Sequence, residues 1–464
     1  MLPSPHPRIG LALALLLTVS LVAPSASAAP FDGDDDCGAT LWVPQDHPTI
    51  SAAVEAANPG DRIRVSAGVY AEQVIIDKAI QLEGSGAEDT IIDGQNSLDL
   101  AGMGQIRVIA AGDVEISNLG IVHAGRPGLL SEPAVGIFAA SPVAGVTYHI
   151  HDNQILDIGD PNADPATNPD LGIGWGWGFH SQGGLEHLRF EENEVAGCSS
   201  TCLWLDDHAG PTTIRENDIS TGLQNSNGIS LNNYSSTPIT TPQKIRGNTI
   251  DMGLENPDVI NFPAGIYIWA QGARYTNVRV QDNRIENVIE RKRGIVLFGG
   301  VWPEDGPSPG AGLRARVEEN EIIGAPSSNG FTGYEGITVW GACWQVRIEE
   351  NEIREINDGP LPAFPTVNGG IRLRASFLDG VSSPVGTIIR DNRIDAQRGI
   401  SVEGSTSNSL IRRNRITALG PAAVELGPDT SGNSVKRNRL ETPTDEGNAA
   451  VIDNGVGNTV RWNR

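Results

Sequence analysis

Residues 390–416 read RDNRIDAQRGISVEGSTSNSLIRRNRI, and this stretch contains one full copy of a unit that repeats along the chain. One copy begins at Asn392 and the next at Asn414, an interval of 22 residues. Between them lies Gly-Ile-Ser-Val at Gly399, in which aliphatic residues alternate with other types. Alternation with a period of two predicts β-strands, and so short a unit leaves no room for a helix.

The Asn of this unit recurs with an aliphatic residue two positions later. The series is Asn153, Asn193, Asn217, Asn248, Asn283, Asn320, Asn351, Asn392, Asn414, Asn438 and Asn458. Asn suits a tight turn because it tolerates the left-handed conformation, and stacked amides can bond from one unit to the next. We therefore expect these side chains to form one column.

A second motif, Gly-aliphatic-x-aliphatic, accompanies the Asn in most units. It occurs at Gly228, Gly265, Gly294, Gly336, Gly370 and Gly399, with variants at Cys202 and Ala423. Stacked units of about 22 residues, each made of short strands, are typical of a parallel β-helix. A β-propeller is excluded because its blades need four longer strands in about 40–45 residues.

The segment from Thr49 to Ile76, TISAAVEAANPGDRIRVSAGVYAEQVII, resembles the N-terminus of right-handed parallel β-helix proteins of the pectin lyase-like superfamily. Thr49 can cap a short helix whose face of Ile50, Val54 and Ala57 closes the end of the solenoid. The resemblance implies an all-β, right-handed parallel β-helix of about 12 coils over residues 41–464. It does not select an activity, because the superfamily contains lyases, hydrolases, epimerases, esterases and non-enzymes.

The N-terminal residues predict export. Arg8, the apolar run Leu11–Val22 and the small residues Ala26-Ser27-Ala28 are typical of a signal peptide over residues 1–28, which an acidic leader follows over residues 29–40. A membrane anchor is the less favoured alternative, since the run is short and no stop-transfer cluster of charges follows it. No later stretch is long or apolar enough to span a bilayer. We expect a secreted or extracellular protein, with the periplasm as the alternative location.

The net charge and the cysteine residues indicate which binding partners, disulfides and metal sites the protein can have. The chain has 33 Lys and Arg against 57 Asp and Glu, and the net charge of −24 argues against nucleic acid and anionic membranes. Cys198 and Cys202 are spaced for a local disulfide, with free thiols as the next alternative and a metal site last; Cys37 and Cys343 need not pair. No cofactor is required by the sequence, although Ca²⁺ stays open because of Asp32–Asp36, and we expect a monomer.

The Gly motif also predicts which side chains point outward, because the second and fourth residues after each Gly face away from the core. These pairs are Trp204/Asp206, Ser230/Asn232, Tyr267/Trp269, Val296/Phe298, Thr338/Trp340, Arg372/Arg374, Ser401/Glu403 and Glu425/Gly427, with His180 and Gln182 one coil earlier. Five of the 16 paired positions are aromatic, where the overall content of 5% predicts about one.

Aromatic faces beside Asn, Asp and Arg are typical of surfaces that stack sugar rings and bond their hydroxyl groups. We therefore predict that Trp204, Asn232, Tyr267, Trp269 and their neighbours in the columns bind a polysaccharide. The neighbours are Phe298, Trp340, Arg372 and Arg374, and the two Arg side chains could bind uronate carboxylates. The competing interpretations are that the aromatic residues merely suit an exposed sheet or lie beneath loops, and that Arg374 pairs with Glu403.

The strand end Leu-Trp-Leu-Asp-Asp-His contains the best catalytic candidates. Asp206 and Asp207 could supply an acid and a base or nucleophile, while His208, and His180 one coil earlier, could transfer protons near neutral pH. This segment resembles the W-L-D strand end of some β-helix glycosidases, but it lacks the N-T-D, G-H-G and R-I-K elements of polygalacturonase-like enzymes. The alternative is that the two Asp residues cap a turn.

The sequence thus predicts a protein that cleaves a polysaccharide, as a hydrolase or a lyase. A non-catalytic glycan-binding or cell-surface protein is the alternative.

Overall fold

The structure, a computed structural model, describes residues 38–96, 99–100, 103–124, 126–127, 133–159, 176–221, 227–253, 263–288, 292–300, 312–325, 335–356, 369–375 and 382–464. The expected signal peptide, the Asp32–Asp36 run and Cys37 lie outside these residues. No helix within the described ranges is long and apolar enough to cross a membrane.

Three parallel sheets account for nearly all of the described secondary structure. Sheet 1 consists of Thr40–Val43, Arg62–Val65, Gln81–Gly84, Val114–Ser117, Thr147–His151, His187–Glu191, Thr212–Arg215, Gln243–Arg246, Arg274–Gln281, Gly312–Glu318, Arg347–Glu349, Ile388–Arg390, Leu410–Arg412, Ser434–Lys436 and Thr459–Arg461. Sheet 2 consists of Gly68–Tyr70, Thr90–Asp93, Gly120–Val122, Gln154–Leu156, Glu194–Cys198, Asp218–Thr221, Thr249–Asp251, Arg284–Val288, Glu321–Gly324, Glu352–Ile356, Arg393–Ala396, Arg415–Ala418 and Arg439–Glu441.

Sheet 3 contains the Gly-motif strands. They are Val74–Ile76, Ile106–Val108, Ala134–Ala139, Gly176–Gln182, Thr201–Asp206, Ile229–Asn233, Ala264–Ala270, Arg293–Gly299, Glu335–Gly341, Gly369–Arg374, Ile400–Val402, Val424–Leu426 and Val451–Asp453. A small two-stranded sheet pairs Asp99–Leu100 with Arg126–Pro127.

Each complete coil contributes one strand to each sheet, and every strand pairs in parallel with its equivalent one coil away. The first and last strands of sheet 1, Thr40–Val43 and Thr459–Arg461, have no equivalents in the other two sheets within the described ranges. Sheets 2 and 3 each have 13 strands in the described residues, close to the 12 coils expected. The chain is a right-handed parallel β-helix, as the sequence predicts.

Aliphatic and aromatic columns fill the interior of the solenoid. One such column in sheet 3 is Phe179, Leu203, Ile229, Ile266, Ile295, Ile337, Ile371, Ile400 and Val424, which the strand register places one above another. These side chains are at most 1% exposed. Their burial supplies the main driving force for folding, because every coil covers the apolar face of the next.

The Asn column forms as expected, with one correction. From Asn193 to Asn438 each Oδ1 accepts hydrogen bonds from the backbone N–H and the amide of the preceding Asn, as Asn351 does from Asn320 at 3.0 and 2.9 Å. The last member is Asn463, which accepts from Asn438. Asn458 belongs to a second, shorter column with Asn433.

The left-handed residue of each turn is the residue before the Asn, rather than the Asn itself. Glu319 has φ of 59° and Glu350 has φ of 59°. The Asn side chain stabilises the left-handed conformation of the residue before it, because its amide donates to the carbonyl two residues earlier, as Asn320 does to Glu318 at 3.0 Å.

Close approach of neighbouring coils explains the Gly of the second motif. A Cβ on Gly294 would lie 2.5 Å from the carbonyl oxygen of Gly336 and 2.7 Å from Cγ2 of Ile322. Since real Cβ contacts are longer, a side chain here would push the sheet 3 strand away from the sheet 2 strand beneath it.

The N-terminal cap also agrees with the sequence. Ile50–Ala56 forms the one helix of the described residues, and Thr49 accepts a hydrogen bond from the N–H of Ala52 at 3.1 Å. Ile50, Val54 and Ala57 are buried against the first coil.

The expected Cys198–Cys202 disulfide is not formed in this structure. Both side chains are buried in the interior core, and Cys202 Sγ donates to the carbonyl of Ser220 at 3.7 Å. Hydrogen bonding to Cys198 and burial raise the pKa of Cys202 well above its ordinary value. The two residues pack as small apolar side chains at a corner that strand pairing already holds.

Candidate functional site

The outer face of sheet 3 has the columns that the sequence predicts. Strand register aligns His180, Trp204, Ser230, Tyr267, Val296, Thr338 and Arg372 in one column, and Gln182, Asp206, Asn232, Trp269, Phe298, Trp340 and Arg374 in the next. Trp269 is therefore two coils from Asp206 and Trp340 four coils, about 10 and 19 Å at the usual strand spacing.

Asp206 is the polar centre of this face. Its side chain is 14% exposed, and Oδ2 lies 3.7 Å from Nε2 of His180. Oδ1 accepts a hydrogen bond from the Asn232 amide at 3.1 Å, and Asn232 Oδ1 in turn accepts from the Ser230 hydroxyl at 3.3 Å. His180, Asp206, Asn232 and Ser230 form one polar row, which we call the Asp206 row.

Aromatic side chains hold His180 in place. Its ring lies edge-on to Trp177 at 4.5 Å and to Phe138 at 5.5 Å between centroids. Neither ring nitrogen has a hydrogen-bond partner in the described part of the chain, although the side chain is only 2% exposed. A buried imidazole without hydrogen-bond partners is energetically costly unless another group bonds to it, so Nδ1 and Nε2 of His180 are suited to binding a ligand.

The aromatic column is interrupted beside Asp206. Trp204 stacks on Trp177 at 5.4 Å, and Tyr267 lies two coils beyond Trp204 in the same column. The position between them is Ser230, whose side chain is small and 1% exposed, and the resulting gap in the aromatic column spans two coils, about 10 Å. The gap and the Asp206 row lie side by side.

Asp207 has a different environment from Asp206. Its φ of 51° places it in the left-handed region, and Oδ1 accepts from the backbone N–H groups of Tyr234 and Ser235 at 2.7 and 2.8 Å. Burial raises the pKa of Asp207, while these two hydrogen bonds act in the opposite direction. The contacts favour the alternative role of turn cap for this residue.

His208 points into the solenoid and does not face the Asp206 row. It is fully buried, with Nδ1 2.9 Å from the Ser181 hydroxyl and 3.8 Å from Oε1 of the equally buried Glu186. Burial lowers the pKa of His208 to about 4 and raises that of Glu186 to about 7. Both side chains are fully buried, and this position does not favour a catalytic role for His208.

Trp269, Phe298 and Trp340 form a packed ladder rather than an open platform. Phe298 stacks on Trp269 at 5.5 Å and on Trp340 at 4.6 Å. The three side chains are 7, 1 and 8% exposed, and Trp269 Nε1 donates to the carbonyl of Gly300 at 2.9 Å. They therefore offer less stacking area than expected, whereas Trp177, Trp204 and Tyr267 are half-buried.

The two Arg residues are also largely engaged. Arg372 donates to Glu335 through Nη1 at 2.7 Å, and to Glu403 through Nε and Nη2 at 3.0 and 2.8 Å. The ion pair expected between Arg374 and Glu403 is thus made by Arg372, and Arg374 lies over the Trp340 ring at 4.9 Å. Arg372 has its guanidinium occupied, which argues against a uronate clamp at this coil.

The described ranges contain no group of three or more His, Cys, Asp or Glu side chains that could hold a metal ion. Ca²⁺ therefore finds no ready carboxylate cluster in this part of the molecule.

Sequence reasoning missed several residues of this face. Trp177 and Phe138 precede the first recognised Gly motif, and Glu335 stands one residue before its motif, so the column count did not include them. Ser230 is important only because the strand register places it between two large aromatic residues, Trp204 and Tyr267, and the sequence motif alone does not show this.

Comparisons with known proteins agree with the fold. No family model and no curated protein matches the chain. Among solved structures, the catalytic unit of a thermostable GH87 α-1,3-glucanase from Streptomyces thermodiastaticus strain HF3-3 aligns with a TM-score of 0.53 at 15% identity, covering 92% of this chain and 70% of that one. DFA-IIIase from Arthrobacter chlorophenolicus A6 aligns with a TM-score of 0.52 at 14% identity, covering 91% and 99%. These likenesses support the parallel β-helix fold that the sequence predicts.

Proposed function

We propose that this chain hydrolyses a glycan at the Asp206 row. The observation that carries the proposal is the juxtaposition of this polar row with the gap between Trp204 and Tyr267. Sugar rings stack on aromatic faces, and a gap between two such faces can accept a ring whose glycosidic oxygen faces the acid–base groups.

In this mechanism Asp206 and His180 divide the proton transfers. Asn232 donates to Oδ1 of Asp206, and Oδ2 of the same carboxyl group lies 3.7 Å from Nε2 of His180. An ionised Asp206 can act as base or nucleophile, and a protonated His180 can donate to the leaving oxygen.

Hydrolysis is preferred to elimination for a physical reason. Elimination acts on uronates and needs a cation for the sugar carboxylate, whereas Arg372 is occupied by Glu335 and Glu403. The likeness to proteins named α-1,3-glucanase and DFA-IIIase is consistent with glycan chemistry on this fold. We retain export from the cell as a prediction of the leader sequence.

The test is an activity screen with plant, algal and bacterial polysaccharides that measures reducing ends and the absorbance of unsaturated uronates. We expect new reducing ends without that absorbance. Asp206→Asn should lower the rate about 10²- to 10⁴-fold, because it removes a proton-transfer group.

Asp207→Asn is the matched control, since it makes the same chemical change one residue away and its Oδ1 can still cap the turn. We expect it to keep most of the wild-type rate. Unchanged turnover in Asp206→Asn would move the catalytic site elsewhere. Binding without turnover in the wild-type protein would favour the non-catalytic alternative.

A further inference from the structure

The last three coils differ from the rest of the molecule in charge. Residues 410–464 contain eight of the 33 Lys and Arg but six of the 57 Asp and Glu. The remainder of the chain thus has 25 cations against 51 anions, a net charge of −26. All eight cations of this segment flank the final three Asn residues of the column. They are Arg412, Arg413 and Arg415, then Lys436, Arg437 and Arg439, then Arg461 and Arg464.

Strand register stacks these cations in rows. Arg412, Lys436 and Arg461 are aligned in sheet 1, and Arg415 and Arg439 in sheet 2. Neighbours in a row are one coil apart, about 4.8 Å. Together with Trp462, which is 59% exposed, the eight residues form what we call the C-terminal cationic surface.

The fold does not require positive charge at these positions. The left-handed residue before the Asn is acidic in seven of the eight preceding coils: Asp152, Glu192, Glu216, Asp282, Glu319, Glu350 and Asp391, with Gly247 as the exception. The same position is then Arg413, Arg437 and Trp462, with φ of 58, 59 and 58°. Because the backbone is equivalent, the reversal of charge must serve something other than the turn.

Many cations elsewhere on sheets 1 and 2 form ion pairs with acidic neighbours, although Lys244 and Arg316 have no acidic partner within 4 Å in the part of the chain that the structure describes. Arg215 contacts Glu191, Glu192 and Glu216, and Arg246 contacts Asp282. On the C-terminal cationic surface only Arg413 has an acidic partner within 4 Å in the described residues, namely Asp391. Arg437 and Arg461 instead lie over the Trp462 ring at 5.5 and 4.1 Å.

We propose that the C-terminal cationic surface binds an anionic polysaccharide that runs parallel to the solenoid axis. Repeated carboxylates on such a chain are spaced at roughly one coil, so that one row of guanidinium groups can meet successive sugars, and Trp462 offers a face for stacking. A rigid row at fixed spacing favours this partner over a folded protein. The surface lies six or more coils from Asp206 on other faces, so the proposal does not depend on the proposed hydrolysis.

The experiment measures binding of the full chain to polygalacturonate at low and at physiological salt. Arg415→Gln/Arg437→Asn/Arg439→Gln removes three charges that have no acidic partner within 4 Å among the described residues, and Asn tolerates the left-handed position of residue 437. We expect about 30-fold weaker binding, because each exposed charge contact contributes roughly threefold in affinity. Wild-type binding should also weaken as salt rises.

The matched control is Arg246→Gln/Arg279→Gln/Arg284→Gln, which makes the same change in net charge at cations that have acidic partners. It should change affinity less than about threefold, since these charges are already neutralised. Hydrolytic activity of both variants at the Asp206 row should equal that of the wild type.

Three results would overturn the proposal. They are no binding of polygalacturonate by the wild-type chain, equal losses in the two triple variants, or equally tight binding of duplex DNA or anionic vesicles. If the first variant self-associates on size exclusion but keeps its affinity, the cations serve to prevent edge-to-edge aggregation instead.

Discussion

Asn320→Ala tests the Asn column at its centre. Asn320 is 1% exposed, and its Oδ1 accepts from the N–H and the amide of Asn283 at 3.0 and 2.9 Å. Its amide donates to the carbonyls of Val280 and Glu318 and to Oδ1 of Asn351 at 3.0, 3.0 and 2.9 Å. The substitution removes all five hydrogen bonds and leaves the buried N–H of Asn283 without an acceptor.

The expected loss follows from these contacts. An orphaned buried N–H costs about 1–3 kcal/mol, and each other hydrogen bond contributes about 0.5–1.5 kcal/mol before neighbouring groups relax. Because the carbonyls of Val280 and Glu318 keep their strand partners, we expect a net loss of about 3–5 kcal/mol in the free energy of unfolding. Guanidinium denaturation followed by circular dichroism measures this loss.

Asn463→Ala is the control, since Asn463 makes equivalent bonds to Asn438, Val435 and Asn448 at the solvated end of the column. Water can replace these bonds, so the loss should be about 1 kcal/mol. Equal losses in the two variants would refute the argument that burial makes the column stabilising. A loss below about 1 kcal/mol for Asn320→Ala would refute it as well.

Three further predictions concern the packing of the coils. Gly294→Ala should lower the free energy of unfolding by about 1–3 kcal/mol in the same assay, because the new Cβ meets Gly336 and Ile322; unchanged stability would contradict this close packing. Between about pH 4.5 and 6.5 the unfolded chain carries one proton on the His208 side chain, whereas the folded pair carries one on Glu186, so their contributions to the pH dependence cancel. In Glu186→Gln, the lowered pKa of His208 should make the free energy of unfolding fall by up to about 3 kcal/mol as pH drops from 6.5 to 4. In His208→Gln, the raised pKa of Glu186 should make the free energy of unfolding fall as pH rises from 4.5 to 7. Flat pH profiles in both variants would show that the two groups are not buried as neutral partners. Alkylation without reductant should label Cys198 and Cys202 in denaturant but not in the native protein, and mass spectrometry that finds them unlabelled in denaturant would restore the disulfide.

Most of the fold could be predicted because period-2 alternation and a fixed repeat determine strand direction, inward faces and register together. The outward pairs of sheet 3 from Trp204/Asp206 to Arg372/Arg374 were identified in this way. The error at Asn458 arose because two different turns of the last coils use the same amide bonding. Asn463 does not match the Asn-x-aliphatic pattern, because only Arg464 follows it in the sequence.

The candidate site could be predicted less completely. Strand alternation predicts whether a side chain points inward or outward, but it does not predict which other residues cover that side chain. His208 follows Asp206 by two residues, yet the backbone turns at Asp207 and directs the imidazole into the core. Likewise, Arg372 faces outward as expected, but Glu335 and Glu403 come from neighbouring coils and take up its donors. Such contacts depend on which residues adjacent coils bring together.

The proposed reaction is cleavage of a glycan at Asp206. Its most direct test is a crystal structure of the Asp206→Asn variant, which should bind substrate without turning it over, with an oligosaccharide taken from the polysaccharide that the wild type cleaves. We predict a sugar ring in the gap above Ser230, between Trp204 and Tyr267, with a glycosidic oxygen within hydrogen-bond distance of residue 206 or of His180. An oligosaccharide bound on another face, with the gap above Ser230 unoccupied, would contradict the account.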